Sequence, residues 1–236
     1  GEDPYLNARI AEAMVWGYQG RPGHRFEKED QIMACVKHFA LYGAAEAGRD
    51  YNTVDMSRQK MFNEYMVGYK AAADAGAGSF MTSFNVVDDV PASVNRWLMT
   101  DVLREQWGWN GFVVTDYISI NECVDHGVGN YHEVAVKALK AGVDMDMVGE
   151  TFFTQAKSAV EAGELKMEDV DRACRRVLEA KYRLGIFVKY CSSAPCPRHI
   201  SGGVSERPDE GYRSLPLKRK QVVLILEQHI RLRRKS

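Results

Sequence analysis

In the stretch GFVVTDY, at residues 111–117, an aspartate directly follows a short apolar run. Residues 112–115 are apolar or β-branched and predict a buried strand. In parallel α/β folds, catalytic groups collect at the carboxyl ends of the strands, so Asp116 is a candidate nucleophile or general base. An aspartate in this position is also a common N-cap of the following helix, and position alone leaves both interpretations open.

A second apolar run, MACVKHF at residues 33–39, carries a lysine and a histidine side by side. Neighbouring residues of a strand face opposite sides, so Lys37 and His38 reach one site only where the strand ends or bulges. An ammonium group is costly to bury without a partner, so that of Lys37 faces solvent or a polar cavity. His38 alone is typical of a core histidine, whereas the pair favours a site.

The loop after this run contains the segment AGRDYN, in which Arg49 follows a glycine. Loops after barrel strands line the active face, and a planar guanidinium can hold hydroxyl groups through its fork of donors. Arg49 is therefore a candidate for substrate binding, although a surface charge would have the same appearance in the sequence.

Asp144 and Asp146 flank Met145 in a fourth apolar run and would share one face of a strand. Two carboxylates can bind a metal ion, but no third ligand has matching spacing, so polar strand-end residues are favoured. No metal or other cofactor is predicted. Trp97 and Trp107 lie in a helical pattern, which favours core packing over a sugar platform.

The composition argues against several classes of partner. The 236 residues include 31 basic and 32 acidic ones, for a net charge of −1, which gives no electrostatic case for nucleic acid or an anionic membrane. No apolar run reaches the roughly 18 residues that suggest a membrane span. The five cysteines lack paired zinc spacing, and Cys35 and Cys174 are predicted to be core thiols. The sequence indicates no oligomeric state.

Hydrophobic periodicity alternates between strand and helix along the chain. The predicted helices span residues 5–18, 55–75, 93–107, 131–141, 151–162 and 168–184. The predicted strands span residues 33–39, 78–84, 112–115 and 143–148. Ser93 is a predicted N-cap, and Gly142 is the predicted residue after a helix end.

This order of elements predicts an α/β fold with a parallel sheet and right-handed crossovers. Four strand–helix units in about 180 residues match half of a TIM-type (β/α)8 barrel, since all eight need about 250 residues. A doubly wound open sheet is the alternative, but no GxGxxG turn supports a dinucleotide fold. Residues 1–188 are assigned to this partial barrel.

The pattern changes in residues 189–236, which hold many turn formers and no amphipathic period. The run QVVLIL at residues 221–226 resembles one strand, and the chain then ends in the basic stretch HIRLRRKS. A linker this irregular does not fit the units before it. We assign these residues to an irregular tail, prefer a disordered or non-native tail over a nucleic-acid site, and give no function to Cys191 or Cys196.

Several segments, in order, resemble the catalytic barrel of glycoside hydrolase family 3, in its periplasmic bacterial β-glucosidase branch. They are GEDPYL, KHFALYGAAEAGRDYN, MTSFN, PASVNRWLMTDVLREQWGWNGFVVTDY and AGVDMDM. The resemblance covers residues 1–188. It implies the second half of a TIM-type barrel and a periplasmic or secreted location.

The resemblance also implies roles for single residues. Asp116 takes the place of the family's strand-end nucleophile. Lys37 and His38 match the dyad that holds sugar hydroxyls, and Arg49 matches the arginine of the next loop.

Three positions depart from the family pattern. Phe84 stands where relatives often have a tyrosine near the nucleophile, which removes one hydroxyl. Tyr117 stands where an aromatic residue, usually tryptophan, lines the aglycone subsite. The common Asn-Gly turn is Asp88-Asp89 here.

The implied activity is retaining, exo-acting hydrolysis of terminal β-glucosyl residues from small oligosaccharides or β-glucosides, with two carboxyls about 5–5.5 Å apart. Asp116 would form the glycosyl-enzyme, and a second carboxyl would protonate the leaving oxygen. In the family that acid/base lies in a separate α/β sandwich domain. The resemblance thus implies that the acid/base is absent from this chain, that the chain is a fragment, and that residues 189–236 hold a frame-shifted start of that domain.

Other functions stay open. β-Xylosidase activity belongs to the same family, and a chain without its acid/base could be an inactive sugar-binding remnant. The β-N-acetylhexosaminidase branch carries KHFPGHG, which the segment KHFALYGAAEAG does not match. A different chemistry would use Lys37 as a Schiff base.

Overall fold

The computed structural model describes residues 2–28 and 30–186. The chain divides into two compact units, Gly1–Ala180 and Lys181–Ser236, and nearly all of the second lies outside the described residues. The predicted tail at 189–236, the strand at 221–226, Cys191 and Cys196 also lie outside them. In the described part of the chain, no helix is long and apolar enough to cross a bilayer.

The six predicted helices are all present within a few residues of their expected bounds. The α-helices are α1 (Pro4–Gln19), α2 (Arg58–Lys60), α3 (Met66–Asp74), α4 (Ser119–Asp125), α5 (Tyr131–Ala141), α6 (Thr151–Glu161) and α7 (Met167–Arg183). A π-helical turn, Met61–Tyr65, joins α2 to α3, and a second π-helix spans Trp97–Gln106. Short 3₁₀ turns lie at Tyr42–Ala44, Glu46–Gly48 and Ala92–Val94.

The strands form two small sheets. They are β1 (Cys35–Phe39), β2 (Thr53–Val54), β3 (Ser79–Thr82), β4 (Val86–Val87), β5 (Val90–Pro91) and β6 (Phe112–Val114). The main sheet has the order β1-β3-β6 and is parallel throughout, so its strands follow chain order without a reversal. In the second sheet β2 and β4 are parallel, and β4 and β5 are antiparallel. The fold is α/β with parallel sheets, and the described residues form no closed barrel.

The predicted strand at 143–148 is wrong as a strand, because only a parallel bridge between Val114 and Met145 forms there. Side chains take the hydrogen bonds that a longer ladder would need. Val113 N donates to the Asp144 carboxylate at 2.8 Å, and Met147 N donates to Thr115 Oγ1 at 2.8 Å. The segment therefore follows β6 without extending its ladder.

Ser93 was expected to cap the third helix, and this prediction is wrong. Asn95 takes that role, since its side-chain oxygen accepts from Leu98 N at 3.1 Å. Ser93 is buried instead, with its hydroxyl 2.7 Å from the hydroxyls of both Thr82 and Ser119. Gly142 does end α5 as predicted, with a φ of 106°.

The core lies between the main sheet and the helices. Phe39, Phe80 and Val113 of the three strands have no exposed surface, and Trp97 and Trp107 pack against this core, as the helical pattern predicts. The prediction that Cys35 is a core thiol is wrong. Cys35 lies two residues before Lys37 on β1, and alternation places both on an exposed face. Cys174 is only half-buried.

A buried glutamine that sequence reasoning missed holds the start of the sheet. Gln19, at the end of α1, accepts hydrogen bonds from Ala34 N at 3.1 Å and Gly78 N at 3.2 Å, and donates to Gly76 O at 2.6 Å. These bonds tie α1 to the segments that enter β1 and β3. All the polar atoms of this buried amide are therefore used in fixing the two strands beside each other.

Candidate active site

The end of β1 carries the predicted lysine–histidine pair on an irregular stretch of strand. The register of β1 against β3 shifts between Val36 and Phe39, which is the kind of bulge that the pair requires to reach one site. Lys37 is exposed and His38 half-buried. Tyr69, on α3, donates its hydroxyl to the backbone oxygen of His38 at 2.6 Å and thereby holds this backbone in place. Burial raises the pKa of Tyr69 to about 12.

Asp116 lies two residues beyond the end of β6 and reaches across the sheet to His38. Its Oδ2 atom is 3.3 Å from His38 Nε2, and its side chain is 14% exposed. Its other oxygen accepts from the backbone N of Tyr117 at 2.6 Å. The alternative role as N-cap is not used, since Ile118 occupies the cap position of α4 and no side chain bonds there. The carboxyl ends of β1 and β6 therefore bring the two residues together with β3 lying between them.

Three influences act on the pKa of His38 and their net effect lowers it below 6.5. Partial burial is the largest, the charge of Lys37 acts in the same direction, and the carboxylate of Asp116 opposes both. The 3.3 Å contact with the carboxylate of Asp116 therefore offsets only part of this lowering.

Aromatic side chains form a wall beside this pair. The Tyr42 ring lies 5.2 Å from that of His38 and 6.2 Å from that of Phe84, and Tyr51 lies 4.9 Å from Phe84. Phe84 lies two residues beyond the end of β3 and contacts both of these tyrosines. Tyr117 is 57% exposed, which leaves its ring available for a ligand.

The two predicted cationic residues have side chains free of protein partners. In residues 2–28 and 30–186, neither the ammonium of Lys37 nor the guanidinium of Arg49 has an ion pair or a side-chain hydrogen bond, and both residues are exposed. The backbone N of Arg49 donates to Glu46 O at 3.2 Å, inside the loop that follows β1. The structure brings His38 and Asp116 together and connects Phe84 to His38 through the ring of Tyr42. Lys37 and Arg49 are placed by their positions in the chain, next to His38 and two residues before Tyr51.

Sequence reasoning missed Tyr42, Tyr51 and Glu122 at this site. Tyr42 donates its hydroxyl to Asp50 Oδ1 at 2.7 Å, and Tyr51 donates to Glu122 Oε1 at 3.3 Å. The two tyrosines lie in a loop without periodicity, so no pattern pointed to them. Glu122 lies on α4, where a lone charge is ordinarily a solvated surface group. Only the tertiary contacts give these residues a place in the site.

Asp144 and Asp146 have structural partners. Asp144 is buried between Arg104 Nη2, at 2.6 Å, and Arg176 Nη1, at 2.9 Å. Asp146 accepts from Thr151 N at 2.7 Å and so caps the start of α6. Burial raises the pKa of both carboxyls. No group of three or more His, Cys, Asp or Glu side chains in the described part of the chain could hold a metal ion.

Comparison with known proteins now identifies the class of protein that this fold and site define. The model of the Glycosyl hydrolase family 3 N terminal domain matches residues 1–180, so the chain belongs to this family. The resemblance expected from the motifs is confirmed.

The chain is similar to several named relatives and to a solved structure. The chain is 45% identical over 189 residues to a periplasmic beta-glucosidase of Salmonella typhimurium, covering 79% of this chain and 24% of that protein. It is 36% identical over 197 residues to a beta-xylosidase of Formosa agariphila, covering 79% and 27%. The crystal structure of a beta-glucosidase from Listeria innocua in complex with glucose matches with a TM-score of 0.77 at 44% identity, covering 80% of this chain and 26% of that one. The chain spans about a quarter of the length of these proteins.

Proposed function

We propose that this chain supplies the nucleophile and glycone-binding part of a retaining, exo-acting β-glucosidase. The observation that carries the proposal is the 3.3 Å approach of Asp116 Oδ2 to His38 Nε2 at the carboxyl edge of the main sheet. A carboxylate held there by one histidine and one backbone N–H keeps lone pairs free for attack on an anomeric carbon. Asp116 acts as the nucleophile.

Lys37, His38 and Arg49 hold the hydroxyls of the sugar. The hydrogen bonds from these side chains to the sugar hydroxyls become stronger in the transition state, because positive charge develops on the sugar ring and polarises the hydroxyls. Phe84 and Tyr117 provide aromatic faces for the sugar, with the exposed ring of Tyr117 towards the aglycone. The proton donor comes from a separate domain, as the family resemblance implies.

The unit Gly1–Ala180 is, in this proposal, the second half of a TIM-type barrel. Its main-sheet strands follow chain order, β1-β3-β6 and then the bridge at Met145, as neighbouring strands of a barrel do. A doubly wound sheet would reverse its order at a switch point. The relative from Salmonella typhimurium is named a periplasmic beta-glucosidase, and this name supports a periplasmic location for the whole protein.

β-Xylosidase activity is the second candidate, supported by the similarity to the Formosa agariphila enzyme. A sugar-binding remnant without turnover is the third, because no proton donor is assigned in the described residues. A Schiff-base mechanism has less support, since Lys37 is exposed and lysines with this role are usually desolvated or next to another cation.

The decisive experiment is trapping with 2,4-dinitrophenyl 2-deoxy-2-fluoro-β-D-glucoside. Its leaving group needs little protonation, so the missing acid does not prevent glycosylation. We expect intact-protein mass spectrometry to show one adduct and peptide mapping to place it on Asp116. The Asp116→Asn variant should carry no adduct. An adduct on another residue would assign the role of nucleophile to that residue instead of Asp116.

The matched 2-fluoro xyloside distinguishes the candidates. Faster labelling by the xyloside than by the glucoside would favour the xylosidase. If the chain binds D-glucose in a calorimetric titration but neither reagent labels it, the result would support a sugar-binding remnant without catalytic activity. The absence of both binding and labelling would refute the proposal for this chain.

A further inference from the structure

The loop that links β1 to β2, at residues 40–52, contains a tyrosine in a left-handed backbone conformation. Tyr51 has a φ of 66°, and its side chain is partly exposed. A bulky residue in this region is strained relative to a right-handed conformation. Such a conformation persists only where surrounding contacts over-determine it, so the contacts of Tyr51 are informative.

Among the described residues, the side chain of Tyr51 has two ring contacts and one hydrogen bond. Its ring is 4.9 Å from that of Phe84 and 6.3 Å from that of His126. Its hydroxyl donates to Glu122 Oε1 at 3.3 Å, across 71 residues of sequence. The left-handed turn is therefore what directs the ring and hydroxyl of Tyr51 towards the helix behind the nucleophile.

Glu122 lies on α4, six residues after Asp116. Its other oxygen, Oε2, is buried without a hydrogen-bond partner in the described part of the chain. Burial raises the pKa of Glu122, although the hydrogen bond from Tyr51 and the nearby His126 act against the rise, and Asp116 and Asp125 add to it. A half-buried carboxyl with one unsatisfied oxygen is unfavourable for the fold. Within residues 2–28 and 30–186, its side chain has one hydrogen bond, which comes from Tyr51.

A hydrogen bond within the same loop joins its two ends, and a ring contact attaches the loop to β1. Tyr42 donates to Asp50 Oδ1 at 2.7 Å, and the Tyr42 ring packs on His38 at 5.2 Å. Arg49 directly precedes Asp50, so the free guanidinium is carried by a segment that is tied to both sides of the site. One tie leads to the end of β1, and the other leads to the helix that follows β6.

We propose that the hydrogen bond from Tyr51 to Glu122 is a latch that positions Arg49 for the sugar. Tyr51 and Glu122 are positioning residues in this proposal, which rests on the proposed function. The latch joins the loop that carries Arg49 to α4, the helix that begins three residues after Asp116. It therefore fixes the cationic loop relative to the nucleophile.

The first test measures D-glucose affinity by isothermal titration calorimetry. Tyr51→Phe removes only the hydroxyl, and we expect it to weaken glucose binding about fivefold, which corresponds to the loss of one hydrogen bond. Tyr131→Phe, at an exposed tyrosine of α5 outside the site, is the matched control and should bind as the unaltered chain does. Glu122→Leu should weaken binding as Tyr51→Phe does. Glu122→Gln should bind within about twofold of the unaltered chain, because an amide oxygen still accepts from the Tyr51 hydroxyl.

A double-mutant cycle tests the link to Arg49. Arg49→Ala should cost less affinity in the Tyr51→Phe background than in the unaltered chain, because a released loop no longer presents the guanidinium. Additive effects of the two substitutions would overturn the positioning role, even if each alone weakens binding.

Hydrogen–deuterium exchange of the loop at residues 40–52 tests the latch independently of any sugar. Tyr51→Phe and Glu122→Leu should speed its exchange, while Glu122→Gln and Tyr131→Phe should not. Unchanged exchange in the first two variants would overturn the latch. If the unaltered chain neither binds glucose nor reacts with the fluoro-glucoside, the proposed function fails, and the positioning of Arg49 for a sugar fails with it. If it binds and Tyr51→Phe binds equally well, only the latch fails.

Discussion

Asp116 lies just beyond the end of β6 and Asp144 lies in the segment that pairs beside β6, yet their surroundings differ in kind. The carboxylate of Asp144 is 1% exposed and accepts from two arginines and one backbone N–H. That of Asp116 is 14% exposed and contacts one histidine and one adjacent backbone N–H. The first has its acceptor capacity filled by the protein, and the second keeps part of it free.

The difference separates a structural carboxylate from a functional one. A buried carboxylate with full pairing stabilises the packing of its partners and has nothing left for a ligand. A partly solvated carboxylate with few partners contributes little to folding and remains reactive. Substitutions at the two positions should therefore affect different properties. A change at Asp144 should lower stability, and a change at Asp116 should abolish the reaction with the sugar.

The largest effect is expected for Asp144→Ala. This change leaves Arg104 buried without its carboxylate partner, and breaking a buried pair in this way costs about 3–5 kcal/mol. Urea denaturation followed by tryptophan fluorescence measures the loss. A loss below about 1 kcal/mol would mean that the arginines find other partners, and the contrast with Asp116 would then be weaker than the structure indicates.

A smaller loss is expected for Asp146→Ala. Its carboxylate accepts from Thr151 N and Phe152 N at the start of α6, and loss of such a hydrogen bond costs about 1 kcal/mol. Asp146→Asn is the matched control, because its side-chain oxygen still caps the helix and most of the stability should return. Equal losses in both variants would show that charge matters more than capping.

Asp116→Asn should change the free energy of unfolding by less than about 0.5 kcal/mol, since its carboxylate has few partners. The same variant should lose all labelling by the fluoro-glucoside. Urea denaturation and mass spectrometry on one preparation measure both quantities. A stability loss as large as that of Asp144→Ala would place Asp116 with the structural carboxylates.

The finest test is the titration of His38, followed by NMR. Lys37→Met should raise the pKa of His38, because a neighbouring positive charge is removed, and Asp116→Asn should lower it, because the favourable carboxylate charge is lost. The pKa of His38 in the folded chain lies below its usual value of 6.5, so between these two values the folded chain binds fewer protons than the unfolded chain. The contribution of His38 to stability is therefore present above pH 6.5 and is lost as pH falls through the folded pKa. Shifts in the opposite directions would show that His38 does not lie between these two charges.

Much of the fold could be predicted because apolar periodicity is a local property. The helix 131–141 was predicted with the bounds that α5 has, since its apolar spacing and the glycine that follows it agree. The prediction of a strand at 143–148 failed because the side chains of Asp144 and Thr115 accept hydrogen bonds from backbone N–H groups that a strand would use. Hydrophobic periodicity does not show that side chains compete for these groups. Cys35 failed because a run of apolar residues does not show which face of a strand is covered.

The sequence alone determined the alternation of strands and helices, and it placed Asp116, Lys37 and His38 at the ends of strands, because these depend on residue type and short spacing. Only the tertiary structure decided which aspartate stays free and which tyrosine and glutamate join the site. Arg104 and Arg176 are 40 and 32 residues from Asp144, and Glu122 is 71 residues from Tyr51. Whether a carboxylate is saturated depends on such distant partners, and chain folding alone brings them within hydrogen-bonding distance.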